Sequence, residues 1–495
     1  MLFNSYEFLF LFFPLVLAGY GLIKRIGQSA LREPYQVKGA NGFLLAASLV
    51  FYGWTSLSHM PVLLGSMAVN YGLFRLMGKQ ERKKAALAAG LILNLGALIC
   101  FKYLGGGFLP LGISFFTFTQ IAFLVESYGG NLQKADPLSY GLYVSFFPKI
   151  MQGPIALPKE MFPQFEKRDK TVSWERIYRS FYLFILGLSK KVLLADTFGK
   201  AVDFGYTNLQ ALNTGDGIIV MLSYTLQLYF DFSGYCDMAM GIAGMLGFEL
   251  PVNFDSPYKA DNIIEFWKRW HITLTRFFTK YLYIPLGGNR KGRARTYLNC
   301  LLVFLVSGIW HGVGWQFIVW GLMHGVCYVF TRIWQDSDII RAGNRTEKRA
   351  KKETEDRGFW EPLGRGFRVL LTFLYVNVAW IFFRASSVKE AAALIKRIGS
   401  FQLSRFSWDL AGCFNLDEFW YVIKVLRLDR WQNAHYILMV LLVAGGLLLV
   451  FCGKSALNVA GRAKPSVINS GIMAVLLVWS ILSFSGVSSF LYVNF

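Results

Sequence analysis

A few polar side chains stand where a chain of this composition rarely keeps them. His311 lies in SGIWHGVGW, inside a run from Tyr297 to Thr331 that holds no Asp, Glu, Lys or Arg. An ionisable group in such a block is a functional candidate by default, and a neutral imidazole there can take a proton from an alcohol near pH 7. Packing alone is the competing explanation. Ser307, Gly308, Gly312 and Gly314 surround Trp310 and His311, and such small residues permit close helix approach or a break in a helix. A second constellation is IIEFWKRWHITLTRFFTKYLYI, from Ile263 to Ile284. At helical spacing Arg269, Arg276 and Lys280 share one face with Thr273 between them, and Glu265 precedes Arg269 by one turn. Trp267, His271, Leu274 and Phe278 share the opposite face. This predicts an amphipathic helix at an interface or part-way into a membrane, its basic face toward headgroups or an anionic ligand. His271 then faces inward, either for chemistry or to hydrogen-bond a neighbouring helix. The third is DFSGYCDMAMG, where Asp231 and Tyr235, and Ser233 and Asp237, lie one turn apart, with Gln227 a further turn away. Apolar surroundings force such carboxylates to pair, so they orient a histidine, bind a substrate hydroxyl or form an interhelical lock. Asn253, Asp255 and Tyr258 in VNFDSPY are positioners or loop caps.

The elements that must hold these residues follow from composition. The 495 residues are 54% hydrophobic and 17% aromatic, and the apolar residues come in blocks of about twenty, the length of a bilayer crossing. The expected fold is all-α, a polytopic membrane protein with about 11 to 14 transmembrane or re-entrant helices and amphipathic interfacial helices. Candidate spans lie near residues 3–23, 41–58, 61–77, 85–104, 108–126, 139–156, 177–198, 216–248, 297–332, 366–384, 434–452 and 467–485. Two crossings must fit between Arg295 and Arg332, which puts His311 near their junction or a bend. The first segment opens with Asn4 and Glu7 in place of a basic region, so it reads as retained. Six cysteines (Cys100, Cys236, Cys300, Cys327, Cys413, Cys452) show no CxxC pair or ligand spacing, suggesting neither a disulfide framework nor a metal site.

The net charge of +21 would point to nucleic acid in a soluble protein. Here it marks topology instead, because the basic residues cluster between apolar blocks. Clusters at Lys24 to Lys38, Lys79 to Lys84, Arg290 to Arg295 and Arg341 to Lys352 read as cytoplasmic loops, and the amino terminus then faces outward. The stretch from Trp334 to Arg368 reads as a charged cytoplasmic loop, in part helical. The one from Ala385 to Asn433 is expected outside, with Trp408, Phe414, Phe419 and Trp420 covering the bundle or meeting a partner.

The run from Asp231 through YLYIPLGGNRKG to Gly292, followed by SGIWHGVGWQFIVWGLMHG, resembles the membrane-bound O-acyltransferase family, and within it the bacterial alginate O-acetyltransferase-like branch. Supporting matches are LGISFFTFTQIAFLVESYGG, FFPKIMQGPI, IFFRASSVKEA and the terminal FLYVNF. The resemblance implies one transmembrane domain over 1–495: N-terminal helices in 1–105, a catalytic core in 106–332, the charged cytoplasmic loop in 333–368, and C-terminal helices in 369–495 with an extracytoplasmic segment near 385–433. The family's near-invariant histidine maps onto His311, and the WxxWH stretch of Trp267, Trp270 and His271 supplies its second histidine. One departure is that Thr279 and Lys280 precede Tyr281 where relatives often carry Arg-Asp. The implied reaction takes an acyl group, acetyl from acetyl-coenzyme A, to an extracytoplasmic polysaccharide (alginate- or cellulose-like, or peptidoglycan), by way of an SGNH-like extracytoplasmic acetyltransferase, at the bacterial cytoplasmic membrane. His311 then acts as general base or transient acyl acceptor. His271, Trp270 or Trp310 orient donor or acceptor, and His271, an indole N–H or a backbone amide serves the developing oxyanion. Asp231, Tyr235, Asp237 and Asn253 position substrate, while Arg269, Arg276 and Lys280 meet the phosphates of the donor or lipid headgroups. D-alanyl transfer to teichoic acid, a secondary transporter and a non-enzymatic export scaffold are the alternatives; no internal repeat of the transporter kind occurs.

Overall fold

Backbone amides that meet no water must close on themselves, and the described residues are helical with no strand among them. The structure is a computed structural model that describes the chain except residues 31–32, 168–171, 344–359, 417, 419–423, 428–430, 432, 487–489 and 492–495. In chain order the α-helices are α1 (Phe13–Ala30), α2 (Glu33–Thr55), α3 (Met60–Met77), α4 (Lys83–Ile99), α5 (Ile113–Tyr128), α6 (Pro137–Ser145), α7 (Pro158–Glu166) and α8 (Trp174–Ser189). They continue as α9 (Asp196–Thr207), α10 (Thr214–Met245), α11 (Ile263–Arg269), α12 (Ile272–Phe278), α13 (Arg293–His311), α14 (Trp315–Gly343) and α15 (Trp360–Arg384). The last are α16 (Val388–Ile398), α17 (Trp408–Gly412), α18 (Ala434–Phe451), α19 (Ala456–Arg462) and α20 (Val467–Leu482).

The all-α membrane architecture expected from composition is present. Five helical segments among the described residues are long and apolar enough to cross a bilayer: Glu7–Ile26, Gln80–Leu104, Trp315–Ser337, Gly364–Arg384 and Ala434–Phe451. Val37–Thr55 and Leu57–Met77 form a broken pair bent by 118°. Several other apolar blocks fold as shorter helices, while the block near 216–248 forms the long α10; α5 shows why a short one still reads as apolar, since its residues are buried almost all round, the mark of an interior helix. The charged stretch from Trp334, expected to be in part helical, has helix at both ends: α14 runs on to Gly343 and α15 begins at Trp360. Arg332 and Asp336, 3.7 Å apart one turn from each other, let the helix continue through charge; residues 344–359 of the expected loop lie outside the described residues. In the stretch after Ala385, α16 starts at a Ser387 cap whose hydroxyl accepts from the Glu390 amide at 3.2 Å. Phe414 is buried against Phe198, Trp408 lies on His435 at 4.4 Å, and Phe419 and Trp420 fall outside the described residues.

The chain forms two compact units, one of Met1–Asp196, Phe230–Val252 and Ala456–Phe495, the other of Thr197–Tyr229 and Asn253–Ser455. In the first unit, α8 opens into a π-helical turn, Lys190–Ala195, whose two leading lysines face carboxylates of α10. Lys191 Nζ lies 2.8 Å from Asp196 Oδ1 and 2.9 Å from Asp231 Oδ1. The other Asp231 oxygen accepts from the Leu491 amide at 3.1 Å. Lys190 Nζ donates to Asp237 Oδ2 at 2.6 Å and to Ser233 Oγ at 3.3 Å. Both charges of the Lys191–Asp231 pair are 1% exposed. Close approach makes the reach possible: a Cβ on Gly187 of α8 would stand 2.6 Å from the Gly234 carbonyl of α10. Tyr235 is held between Phe3 at 5.0 Å and Phe490 at 5.1 Å.

A buried pair is weak evidence of net stabilisation, but removing one member strands the other charge at a cost of about 3–5 kcal/mol. Lys191→Ala is therefore expected to lower the melting temperature of the detergent-purified protein sharply, and Lys191→Met combined with Asp231→Leu and Asp196→Leu, which removes both of its carboxylate partners, to recover much of the loss. Equal melting of wild type and Lys191→Ala would show that the pair is not closed in the folded protein.

Candidate active site

The second unit holds both candidate histidines. α13 opens on Arg293 and Arg295, is free of Asp, Glu, Lys and Arg from Thr296 to its last residue, His311, and the chain turns through Gly312 into α14. The two helices touch backbone to backbone: a Cβ on Gly308 would meet the Phe317 carbonyl at 2.4 Å, and one on Gly321 the Phe304 carbonyl at 2.5 Å. That contact needs glycine on both sides. His311 is 3% exposed and walled by rings, with Trp310 at 4.6 Å and Trp320 and Phe383 each at 5.0 Å. Trp310 is itself buried, with Phe278 on its far side at 6.5 Å.

The expected continuous amphipathic helix from Ile263 to Ile284 is broken at the site. α11 ends at Arg269, Trp270 is extended, and His271 adopts a left-handed backbone with φ 45° before α12 begins. Asn253 imposes the break from outside the helical period. Its carbonyl accepts from the Ile272 amide at 3.0 Å, and its Oδ1 accepts from the Thr273 amide at 3.1 Å and the Thr273 hydroxyl at 2.9 Å. The amides that open α12, unpaired in any helix, thereby find partners. On the other half-helix the Asp255 amide donates to the Arg269 carbonyl at 3.0 Å. A non-glycine residue in the left-handed region costs about 1–3 kcal/mol and persists where its surroundings overdetermine it, as this lacing does.

The same contact settles the state of His271. Its Nδ1 lies 3.1 Å from Asn253 Oδ1, an atom fixed as oxygen because a backbone N–H points at it. Nδ1 must then carry the hydrogen and donate, leaving Nε2 with its lone pair. His271 lies outside the five spans, and burial lowers its pKa to about 3. It is a neutral base with a fixed tautomer. Tyr258 steadies the same loop, its hydroxyl donating to the Thr225 carbonyl at 3.1 Å.

The remaining expected site residues divide in two. Trp270 is 2% exposed and lies among Phe254 at 5.1 Å, Phe266 at 5.7 Å and Trp380 at 5.0 Å. Arg269 is engaged within the break, its Nε donating to Glu265 Oε1 at 2.8 Å. Arg276 is half-buried, and Lys280 stands over the Tyr281 ring at 5.5 Å. Asp231, Tyr235 and Asp237 belong to the first unit, with the two carboxylates in the lysine pairs described above. A cavity of about 180 Å³ in the second unit is lined by Trp267, Leu274, Phe278, Phe304 and Ser307, with Lys268 and Arg332 as its cations. Ser307 lies one turn before His311.

Two sets of polar residues escaped the sequence reading. Lys190 and Lys191 sit inside the apolar block that forms α8 and its π-turn, where they had to seek carboxylates. His324 lies in the same uncharged block as His311 and meets the same criterion. It is fully buried, and its Nδ1 accepts from the Trp267 indole N–H at 3.3 Å.

Known proteins are similar to this chain over most of its length. Residues 91–336 match the model of the membrane-bound O-acyltransferase family. The chain is 36% identical over 443 residues to the peptidoglycan O-acetyltransferase of Helicobacter pylori, covering 80% of this chain and 79% of that protein. It is 34% identical over 436 residues to a probable alginate O-acetylase of Pseudomonas aeruginosa, covering 82% and 77%. A teichoic acid D-alanyltransferase of Bacillus subtilis is 30% identical over 245 residues, covering 45% of this chain and 60% of that protein. With two buried histidines held on broken and hairpin helices of a multi-pass membrane protein, and relatives aligned over most of its length, the chain belongs to the membrane-bound O-acyltransferase family and is an O-acyltransferase.

Proposed function

We propose that the protein moves acetyl groups from acetyl-coenzyme A on the cytoplasmic side of a bacterial cytoplasmic membrane to a hydroxyl on the outer side. The product is an O-acetylated extracytoplasmic polysaccharide, a peptidoglycan or an alginate- or cellulose-like exopolysaccharide, reached through an SGNH-like partner transferase. Relatives named for peptidoglycan and alginate stand at similar identity, which favours the shared chemistry, a glycan hydroxyl, over either polymer alone. The basic stretches Lys79 to Lys84 and Arg290 to Arg295 favour a cytoplasmic side for those loops and an outward amino terminus. Lys268 and Arg332 at the cavity, with Arg269, Arg276 and Lys280 near it in sequence, suit the phosphates of the donor. The division of the chain into N-terminal helices, a core over 106–332 and C-terminal helices belongs to the same proposal.

The observation that carries this reading is the buried His311 at the junction of two glycine-apposed helices, inside the stretch from Tyr297 to Thr331 that holds no Asp, Glu, Lys or Arg. In the proposed step His311 removes the proton from the attacking hydroxyl. The hydroxyl oxygen bonds to the thioester carbonyl carbon, the C–S bond breaks, and the proton passes from the imidazolium to the departing thiolate. His271 accepts a hydrogen bond at Nε2 from an N–H or O–H beside the reacting group and so orients it. Asn253 holds that ring in place.

Purified protein in proteoliposomes with radiolabelled acetyl-coenzyme A and the partner transferase tests the assignment. His311→Ala is expected to lower acetyl transfer by about 10²–10⁴-fold with the protein still inserted, and transfer at the wild-type rate would sink the assignment. Asn253→Asp places an anion against the His271 Nδ1–H and favours the imidazolium, raising its pKa from about 3. Its acid limb in the pH–rate profile should therefore move to higher pH, activity being lost as pH falls through the new value. An unmoved limb would remove His271 from the reaction.

A further inference from the structure

His324 is a second buried imidazole whose hydrogen can be located. The Trp267 indole N–H can only donate, and it points at His324 Nδ1 from 3.3 Å. Nδ1 is therefore bare, the ring is neutral, and its hydrogen sits on Nε2. That N–H is fully buried and has no acceptor among the described residues. Its walls explain the lack: Phe266 and Phe304 lie nearly parallel to the ring at 6.5 Å and 6.3 Å, with Trp320 at 5.0 Å and Trp380 at 6.0 Å. One turn earlier on α14 and on the same face, the Trp320 indole N–H is also buried with no acceptor among the described residues. Its ring lies 5.0 Å from His324 and 5.0 Å from His311. A buried donor left without a partner is costly, and two such donors on one helix face beside a reactive imidazole call for an acceptor from outside the chain.

We infer that His324 Nε2–H and Trp320 Nε1–H form the donor pair that binds the acyl carbonyl oxygen during transfer. The inference rests on the acyl-transfer reading of His311. As the hydroxyl oxygen adds to the carbonyl carbon, the C=O electron pair moves onto that oxygen, and two preset N–H groups in an apolar wall stabilise it where water is absent. When the C–S bond breaks the pair returns to the carbonyl. His271 is unsuited to this role because its hydrogen is committed at Nδ1 to Asn253. Trp267, which lines the cavity, acts through His324 by fixing its tautomer.

The test is steady-state acetyl transfer by the full chain in proteoliposomes with radiolabelled acetyl-coenzyme A, alongside thermal melting. His324→Phe keeps an aromatic ring and removes the N–H; kcat should fall by about 10²-fold while the KM for the donor stays within a few-fold. His324→Gln, which restores an N–H, should recover part of that loss, whereas a packing defect would lower melting and not respond to glutamine. Trp320→Phe carries the same test if His324→Phe fails to insert, with kcat expected to fall about tenfold. Wild-type kcat in an inserted His324→Phe, or in Trp320→Phe, overturns the donor assignment. If His311→Ala in the same assay is inactive while these variants are fully active, the donor pair alone is wrong. If His311→Ala is active, the acyl-transfer site and the donor pair fall together.

Discussion

Inside hydrocarbon a polar group finds no water, so each must be satisfied by the protein or kept for a ligand. Much of this structure follows from that constraint. It turns the lysines of the π-turn after α8 toward carboxylates of α10, and it makes Asn253 supply partners to the amides that open α12. It also makes the exceptions informative. Where a buried donor such as His324 Nε2–H has no acceptor among the described residues, the unmet bond is a statement about what enters the site.

The three buried imidazoles of the second unit differ by their hydrogen-bond partners. An amide oxygen places the hydrogen of His271 on Nδ1, while an indole N–H places that of His324 on Nε2. One ring is thus an acceptor and the other a donor. His311 lies at a helix carboxyl end among aromatic rings. Acceptor, donor and base are the three functions that the proposed acyl transfer asks of these rings.

How much of this was legible beforehand depends on the range of the interaction. The position of His311 at a helix junction followed from local facts, an uncharged block between basic loops that had to cross twice. The inward turn of His271 was visible in the 3.6-residue period, but the break at His271 was not, because the atom that enforces it belongs to Asn253, eighteen residues earlier. The carboxylates of the DFSGYCDM stretch announced a need for partners, and an interhelical lock was one of the readings open to them. That the partners are Lys190 and Lys191 depends on the contact between α8 and α10, which no periodicity encodes. His324 satisfied the criterion that selected His311 and was hidden by its neighbour's richer motif.

The most direct measurement is the structure of the protein in membrane nanodiscs with a non-transferable thioether analogue of acetyl-coenzyme A. The carbonyl oxygen of the analogue is expected within hydrogen-bond distance of His324 Nε2 and Trp320 Nε1, with the carbonyl carbon turned toward His311 and the phosphates near Lys268 and Arg332. An analogue bound with its carbonyl remote from His311, or with His324 Nε2 bonded only to an ordered water, would contradict the proposed site.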